Sequence, residues 1–240
     1  MSEQQPDPLT LQLDAASHGV FLVGDGVEGI LSLRAAGDMR QPTTRAQLIE
    51  RLGLPGRVVS TRQIHSRVVV AADQVRGGEV EADGVATDAP GDVLLVTVAD
   101  CLPIYFAAAN GAMALVHSGW RGTGIALEAL ELLHSRYDAE AASITAVIGP
   151  GIGACCYHVD EERAELFRTR FGAKSVRREA GRAHLDLRQV NEQLLRAAGV
   201  AAVRSIELCT SCTPQLWSSR RDGGGPACAL MAAAIRRLPQ

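Results

Sequence analysis

Aromatic side chains are scarce in this chain of 240 residues, and it has no excess of basic residues, with 24 Lys and Arg against 27 Asp and Glu. Phe, Trp and Tyr make up 4% of the residues, so the core must be built mainly from Val, Leu, Ile and Ala, which favours β-sheet covered by helices. The formal net charge of -3 gives no general attraction to phosphate backbones or anionic lipid, which would need a basic face or tail. We therefore expect neither a nucleic-acid partner nor a membrane partner.

Long apolar runs are missing as well. No stretch offers the roughly 18 uninterrupted apolar residues of a membrane span, and residues 1–10 lack the basic and apolar regions of a secretory signal. We expect a cytoplasmic monomer in which residues 1–10 are disordered. In a reducing compartment, the six cysteines are more typical of metal binding or catalysis than of disulfides.

Helix and strand patterns alternate along the chain, but several strands follow one another before the first clear helix. The sequence therefore predicts an α/β (α+β) fold, a layered sandwich of mixed β-sheets flanked by helices, with residues 1–240 in a single domain. Strands are predicted over Val93–Val98, Ala112–Val116, Ile144–Ile148 and Ser205–Cys209. Helices are predicted over Thr123–Tyr137, with Thr123 as N-cap, and over Asp186–Ala198, with Asp186 and Gln189 as a capping box and Gly199 after the end.

Three residues with metal-ligand character are predicted to lie at strand ends: His65, Cys101 and His117. Two imidazoles and one thiolate are a normal zinc set, and three protein ligands leave a fourth position for water or substrate. Their wide spacing forms no short signature, so each residue taken alone is equally consistent with a core histidine or an inert buried cysteine. The neighbouring Asp100 and the glycine-rich turn after His117 favour a functional site.

Other motifs carry two interpretations each. Asp83 is either a partner that orients a ligand histidine or a simple Asp-Gly turn residue. The turn at 118–123 either binds an anion, with Arg121 supplying a guanidinium fork, or is a tight turn that needs glycine. Arg220 either reaches substrate or lies in a solvated charge cluster. A structural zinc site built from Cys155, Cys156, Cys209 and Cys212 is disfavoured, because adjacent cysteines rarely give good tetrahedral geometry together.

Several segments together resemble the laccase-domain family, whose members are described as multicopper polyphenol oxidases and as purine nucleoside phosphorylases with adenosine deaminase activity. The segments are QIH at 63–65, EADG at 81–84, TVADCLP at 97–103, VHSGWRG at 116–122, IGPGIG at 148–153 and SRRD at 219–222. The resemblance spans from about Arg45 to the C-terminus. It implies a layered α/β sandwich with the site at the strand ends.

The resemblance also implies a set of site residues and substrates. His65, Cys101 and His117 correspond to the family's zinc ligands, and we expect Asp100 to act as proton acceptor beside them. Purine nucleosides (adenosine, inosine, guanosine and methylthioadenosine) and phosphate are the implied substrates, with copper as the alternative metal. Arg45, Gln63, Arg121 and Arg220 are the expected substrate-binding residues. This chain departs from the family's pattern at positions such as Thr44 and Ser66. These positions concern the rim of the substrate pocket and hence the substrate preference.

Two other enzyme classes and one binding function are weighed against this interpretation. A four-copper oxidase needs on the order of ten histidines, and this chain has six, which excludes it for a single chain. A metal-independent cysteine amidase, or muropeptide-editing hydrolase, would use Cys101 as nucleophile and His117 as base. A structural-zinc scaffold that binds a partner would need four protein ligands, of which only three are convincing in the sequence.

Overall fold

The computed structural model describes Leu11 and residues 17–54, 56–76, 80–225 and 228–239. The predicted disorder of residues 1–10 therefore falls outside the described residues. The strands are β1 (His18–Gly24), β2 (Val27–Ser32), β3 (Arg57–Val59), β4 (Val69–Ala71), β5 (Gly84–Thr87), β6 (Asp92–Val98), β7 (Leu102–Ala108), β8 (Met113–Ser118), β9 (Ile144–Ile148), β10 (His158–Val159), β11 (Val176–Glu179), β12 (Arg182–Leu185), β13 (Ala202–Ser205) and β14 (Met231–Arg237). The α-helices are α1 (Pro42–Arg51), α2 (Ile125–Tyr137), α3 (Glu161–Phe171) and α4 (Leu187–Ala197), and 3-10 turns lie at Arg34–Ala36, Ala72–Gln74, Ala141–Ser143 and Ala173–Ser175.

Three sheets organise these strands. The first has the order β1-β2-β14-β6-β3, and the second has the order β13-β9-β7-β8-β5-β4. Both are mixed, because β3 runs parallel to β6, and β4 and β13 run parallel to their neighbours β5 and β9, among otherwise antiparallel pairs. A small antiparallel sheet, β10-β12-β11, stands beside them. The predicted mixed-sheet α/β fold is confirmed.

The two large sheets pack face to face, and alternation along single strands explains how. On β6, Leu94 and Val96 point into the core between the sheets, whereas Leu95 packs on the opposite face with Leu48 of α1. On β7, Tyr105 enters the same inter-sheet core. Both faces of these strands are therefore buried, which explains their almost continuous apolar sequences.

The second large sheet is covered on its outer face by α2 and α4. Phe106 of β7 packs there with Leu130 and Leu133 of α2 and with Val190 and Leu195 of α4. The layers thus follow the order helix, sheet, sheet, helix. No helix among the described residues is long and apolar enough to cross a membrane.

Most predicted elements are confirmed, and three boundaries are wrong. The strand predicted over Ala112–Val116 is Met113–Ser118, so His117 lies within β8 rather than after it. The predicted Ser205–Cys209 strand is instead Ala202–Ser205, after which the chain leaves the sheet and Cys209 makes only an isolated bridge to Gly151. Helix α2 begins at Ile125 rather than at Thr123, because Gly124 takes the N-cap position with a φ of 101°. The Thr123 hydroxyl donates back to the carbonyl oxygen of Gly119 instead of capping the helix.

Candidate metal centre and cavity

The fold brings His65, Cys101 and His117 together at one end of the sandwich. Cys101 lies in the turn where the chain passes from β6 in the first sheet to β7 in the second, and His117 lies on the neighbouring strand β8, where it pairs with Pro103. His65 reaches them from the loop between β3 and β4, so the prediction that it lies at a strand end is wrong. The imidazole nitrogen and thiol sulfur atoms all lie within 4.8 Å of one another. Two imidazoles and one thiol therefore converge on a single point.

Two residues of the site hold unusual backbone conformations. His65 has a φ of 61° and Asp100 a φ of 86°, in the left-handed region that residues other than glycine rarely adopt. Such conformations cost on the order of 1–3 kcal/mol each and persist only where the surroundings over-determine them. At His65 the surroundings are the buried Asp83 carboxylate, which accepts hydrogen bonds from the backbone N–H groups of Ile64, His65 and Ser66 at 3.2, 3.0 and 2.6 Å.

Asp83 also orients His117. Its Oδ1 lies 2.9 Å from His117 Nδ1, which leaves Nε2 as the ring nitrogen free to bind a metal. Asp83 is fully buried and His117 is 3% exposed. The predicted contact of Asp83 with a candidate ligand histidine is present, and Asp83 is more than a simple turn residue. Its role in orienting a metal ligand stays a prediction.

The charges of this cluster depend on one another. Burial raises the pKa of Asp83, but hydrogen bonds from His117 and Ser66 outweigh it and lower that pKa to about 2. Burial likewise raises the pKa of the Cys101 thiol, but the adjacent His117 and the hydrogen bonds from both histidines lower it to about 6. Cys101 is therefore readily deprotonated, as a metal ligand or a nucleophile must be.

The surroundings of the cluster fit a small metal ion. A Cβ atom at Gly119 would lie 2.7 Å from the Cys101 sulfur, so only glycine leaves room for the thiolate in this turn. A Cβ atom at Gly122 would lie 2.6 Å from the carbonyl oxygen of Ser66, in the loop that carries His65. The glycines of the 118–123 turn therefore serve close packing around the ligands. A set of two imidazoles and one thiolate, with one imidazole oriented by a carboxylate, suits zinc.

A cavity of about 430 Å³ opens directly onto this cluster, which is within the range of small-molecule sites. His65, Asp100 and Cys101 form its floor, and aromatic and cationic side chains form its walls. The Arg163 guanidinium carbon lies 4.5 Å from the Trp120 ring centroid, and that of Arg220 lies 5.5 Å from the Tyr157 ring centroid. The cavity therefore combines flat aromatic surfaces with two guanidinium groups.

Asp100 joins the cavity floor to the chain segment that carries Arg220. One of its carboxylate oxygens accepts the Thr210 hydroxyl at 2.6 Å, and the other accepts the backbone N–H of Arg220 at 2.7 Å. Asp100 thus positions the cavity wall, in addition to the proton-acceptor role predicted for it.

The predicted substrate-binding residues are dispersed. Arg220 lines the cavity, whereas Arg45, Gln63 and Arg121 are not among the lining residues. Gln63 instead binds both backbone groups of Thr97 on β6, donating to the carbonyl oxygen at 2.8 Å and accepting from the N–H at 2.7 Å. Arg45 lies on α1, and Arg121 lies against a neighbouring cavity on the other side of Trp120.

Sequence reasoning missed several wall residues of the cavity. Arg163 belongs to α3, where charged residues occur throughout and none stands out, so no local signal marks it. Tyr157 and Leu187 likewise lie outside the motifs considered. Trp120 belongs to the glycine-rich turn, but nothing in that motif singles out its ring as a wall of the cavity.

The four cysteines for which a shared metal site was disfavoured also converge. The sulfur atoms of Cys155, Cys156, Cys209 and Cys212 lie within 4.8 Å of one another. Among the residues that the structure describes, this group and the His65, Cys101 and His117 group are the two clusters able to hold a metal ion through three or more ligands.

Comparison with known proteins shows which family the chain belongs to. Residues 36–237 match the family model described as multi-copper polyphenol oxidoreductase laccase. The chain belongs to this family. It is 35% identical to the purine nucleoside phosphorylase YlmD of Geobacillus stearothermophilus over 212 residues, which cover 80% of this chain and 77% of that protein. It is also 35% identical to adenosine deaminase RL5, from an unknown prokaryotic organism, over 184 residues, or 69% of this chain and 70% of RL5.

Solved structures of this family share the fold. The crystal structure of YlmD from Geobacillus stearothermophilus superposes with a TM-score of 0.85 at 31% identity, covering 97% of this chain and all of that one. A Bacillus licheniformis protein, YfiH, superposes with a TM-score of 0.82 at 28% identity, covering 95% and 99%. The layered arrangement of mixed sheets is therefore the arrangement of the family.

Proposed function

We propose that this chain is a zinc-dependent purine nucleoside phosphorylase that cleaves adenosine, inosine, guanosine and methylthioadenosine, and that it also deaminates adenosine. The observation that carries the proposal is the opening of an aromatic and cationic cavity directly onto the cluster of His65, Cys101 and His117. The names of the relatives, a purine nucleoside phosphorylase and an adenosine deaminase, support the same two activities.

His65, Cys101 and His117 would hold the zinc, with copper as the alternative metal. When bound there, zinc supplies a Lewis acid with an open coordination position for polarising a water or a substrate oxygen. Asp83 keeps His117 in the orientation that presents Nε2 to the metal. The negative charge of Asp83 also offsets positive charge in a buried site.

The cavity walls would bind the two substrates. The rings of Trp120 and Tyr157 offer flat faces on which a purine stacks, and Arg163 and Arg220 offer donors to phosphate oxygens. Asp100 would accept a proton during deamination, because each carboxylate oxygen keeps a lone pair after its hydrogen bond to Thr210 or Arg220.

The other predicted substrate-binding residues would act indirectly. Gln63 fixes the end of β6 that leads to Asp100 and Cys101, which makes it a positioning residue. Arg45 and Arg121 lie outside the cavity lining, so we assign them to the surroundings of the site rather than to contact with the reacting atoms.

The proposal is tested with purified protein and a panel of nucleosides, each incubated with and without phosphate. Free base should appear only with phosphate, and inosine should form from adenosine without it. Cys101→Ser should abolish both reactions if one site serves both, whereas Cys228→Ser, at a cysteine outside both metal-binding clusters, should leave both unchanged. Full phosphorolysis by the Cys101→Ser protein would refute the one-site proposal.

A metal-independent cysteine hydrolase, such as an amidase acting on muropeptides, is the second candidate. It is favoured by one observation, the pairing of the low-pKa Cys101 with the buried His117. Metal analysis separates the two candidates. Under the zinc proposal a chelator removes activity and added zinc restores it, whereas a cysteine hydrolase keeps its activity in chelator.

A further inference from the structure

We infer that Cys155, Cys156, Cys209 and Cys212 form a second zinc site, a structural tetrathiolate that is separate from the proposed active site. The inference does not depend on the proposed function. It rests on the spacing of the four sulfur atoms, on the backbone around them and on the position of the cluster between a segment that lines the cavity and a segment that is hydrogen-bonded to Asp100 in the cavity lining.

The sulfur spacing matches a tetrahedral thiolate site. Cys212 Sγ lies 3.7 Å from Cys155 Sγ and 3.4 Å from Cys156 Sγ, and all four sulfurs lie within 4.8 Å of one another. Four sulfurs at about 2.3 Å from a zinc ion stand about 3.8 Å apart. All six cysteines of the chain are free thiols in this structure, so the four sulfurs are available as ligands.

The two cysteine pairs lie on tight turns of suitable shape. The N–H groups of Cys212 and Thr213 both donate to the carbonyl oxygen of Cys209, at 3.1 and 3.0 Å, which folds the CxxC segment into a compact loop. The N–H groups of Cys156 and Tyr157 donate in the same way to the carbonyl oxygen of Gly153, both at 3.0 Å. The second turn lets adjacent cysteines point at one centre, which the sequence alone did not indicate.

Groups around the sulfurs suit charged thiolates. The backbone N–H of Gly153 donates to Cys209 Sγ at 3.2 Å. A Cβ atom at Gly153 would lie 3.2 Å from Cys155 Sγ, so glycine leaves the sulfurs room to converge. One zinc ion with four thiolates carries a net charge of about -2. The Arg221 guanidinium packs against the CxxC loop, where it donates to the carbonyl oxygens of Thr210 and Thr213 at 2.9 and 3.1 Å and also pairs with Asp222 at 2.9 Å.

The cluster joins one wall of the cavity to the segment that is hydrogen-bonded to Asp100 in the cavity lining. Cys156 directly precedes Tyr157, and Cys209 directly precedes Thr210, whose hydroxyl binds Asp100 on the cavity floor. A metal held by both turns would cross-link the segment after β9 to the segment after β13. Since Cys155 and Cys212 are exposed, an ion can reach the site from solvent without unfolding of the chain.

Zinc content measures this site directly. Protein purified without chelator should contain about two zinc ions per chain, Cys155→Ser/Cys212→Ser about one, and Cys101→Ser also about one. Cys228→Ser, at a buried cysteine outside both clusters, is the matched control and should keep about two. Loss of zinc from the Cys101→Ser protein reports on the proposed active site, and loss of zinc from the double variant reports on the tetrathiolate. Each proposal can therefore be refuted without the other.

Two measurements keep the test decisive if the double variant does not fold. The Cys101→Ser protein reconstituted with Co²⁺ should give the intense thiolate-to-metal absorption of a four-sulfur tetrahedral site. Wild-type protein denatured in chelator without reductant should titrate as six free thiols. Thiols missing because of disulfides among these four cysteines, or zinc content unchanged in a folded double variant, would overturn the inference.

Discussion

Arg163 is the single side chain that best separates the two proposed reactions. Its guanidinium stacks on Trp120 at the cavity wall, where phosphate but not adenosine needs a cation. Arg163→Gln should raise the KM for phosphate by about 10-fold, since a lost charge-assisted hydrogen bond is worth about 1.5–3 kcal/mol and part of it is recovered by the amide. Deamination of adenosine, measured without phosphate, should change little.

Arg170→Gln is the matched control for that variant. Arg170 lies on the same helix α3 but faces the neighbouring cavity, where it stacks on Phe171. The Arg170→Gln variant should leave the KM for phosphate unchanged. An equal loss of both reactions in Arg163→Gln would show that Arg163 supports the cavity structure rather than phosphate binding.

Asp83 is a second single residue whose substitution we expect to change the site, here by lowering its affinity for metal. Asp83→Asn keeps the size of the side chain but turns a donor group toward backbone N–H groups that are themselves donors. We expect zinc at the His65, Cys101 and His117 site to bind about 10–100-fold more weakly, as is typical when a carboxylate partner of a ligand histidine is lost. Competition with a chromophoric chelator measures this. Asp88→Asn, an exposed carboxylate just after β5, should have no effect, and unchanged affinity in Asp83→Asn would contradict the orienting role.

At the scale of elements, Asp186 caps the N-terminus of α4, and the next residue, Leu187, lines the cavity. The Asp186 carboxylate accepts the backbone N–H of Gln189 at 3.1 Å and pairs with Arg177 at 2.8 Å. Asp186→Ala should lower the free energy of unfolding by about 1 kcal/mol, measured by urea denaturation. Glu179→Ala, which removes an exposed charge from β11 without uncapping a helix, should cost less. Equal losses would mean that the cap contributes only its charge.

The same helix illustrates which elements a sequence predicts well. Helix α4 is specified by its own residues, through an amphipathic face and a capping Asp. Strands β6 and β9 are specified by runs of branched apolar side chains. The predictions of all three elements are confirmed. The β13 prediction failed because Ile206 and Leu208 continue the apolar pattern after the chain has left the sheet. The start of α2 was missed because Gly124, two residues after a glycine, adopts a left-handed cap conformation.

The candidate site was only partly predictable for a related reason. Cys101 comes shortly after the recognisable strand β6, and His65 and His117 belong to the QIH and VHSGWRG motifs, so each residue can be singled out from the sequence. The tetrathiolate cluster and Arg163 depend on contacts between segments far apart in the chain, Cys156 with Cys212 and α3 with the 118–123 turn. No local pattern records which surface segments meet.

For the whole molecule, sheet order was the least predictable property, and one carboxylate ties the two large sheets together. The C-terminal strand β14 inserts between β2 and β6 of the first sheet. Asp92, at the start of β6, accepts two hydrogen bonds from Arg57 on β3, both at 3.0 Å, and one from Thr87 on β5 of the second sheet at 2.7 Å. A buried group shared by three strands should make global stability depend on pH.

The sign of that dependence follows from the pKa of Asp92. Burial raises the pKa, but hydrogen bonds from Arg57 and Thr87 outweigh it, so the folded pKa lies below the ordinary value of 3.8. The stabilisation is therefore complete above the unfolded pKa and is lost as the pH falls through the folded pKa. Asp92→Asn should lower the free energy of unfolding by about 1–3 kcal/mol at pH 7, with the difference from wild type shrinking below about pH 4. Arg57→Gln, which removes only the partner, should show a smaller pH-dependent difference of the same sign, whereas parallel stability curves from pH 7 to pH 3 for wild type and Asp92→Asn would rule out this linkage.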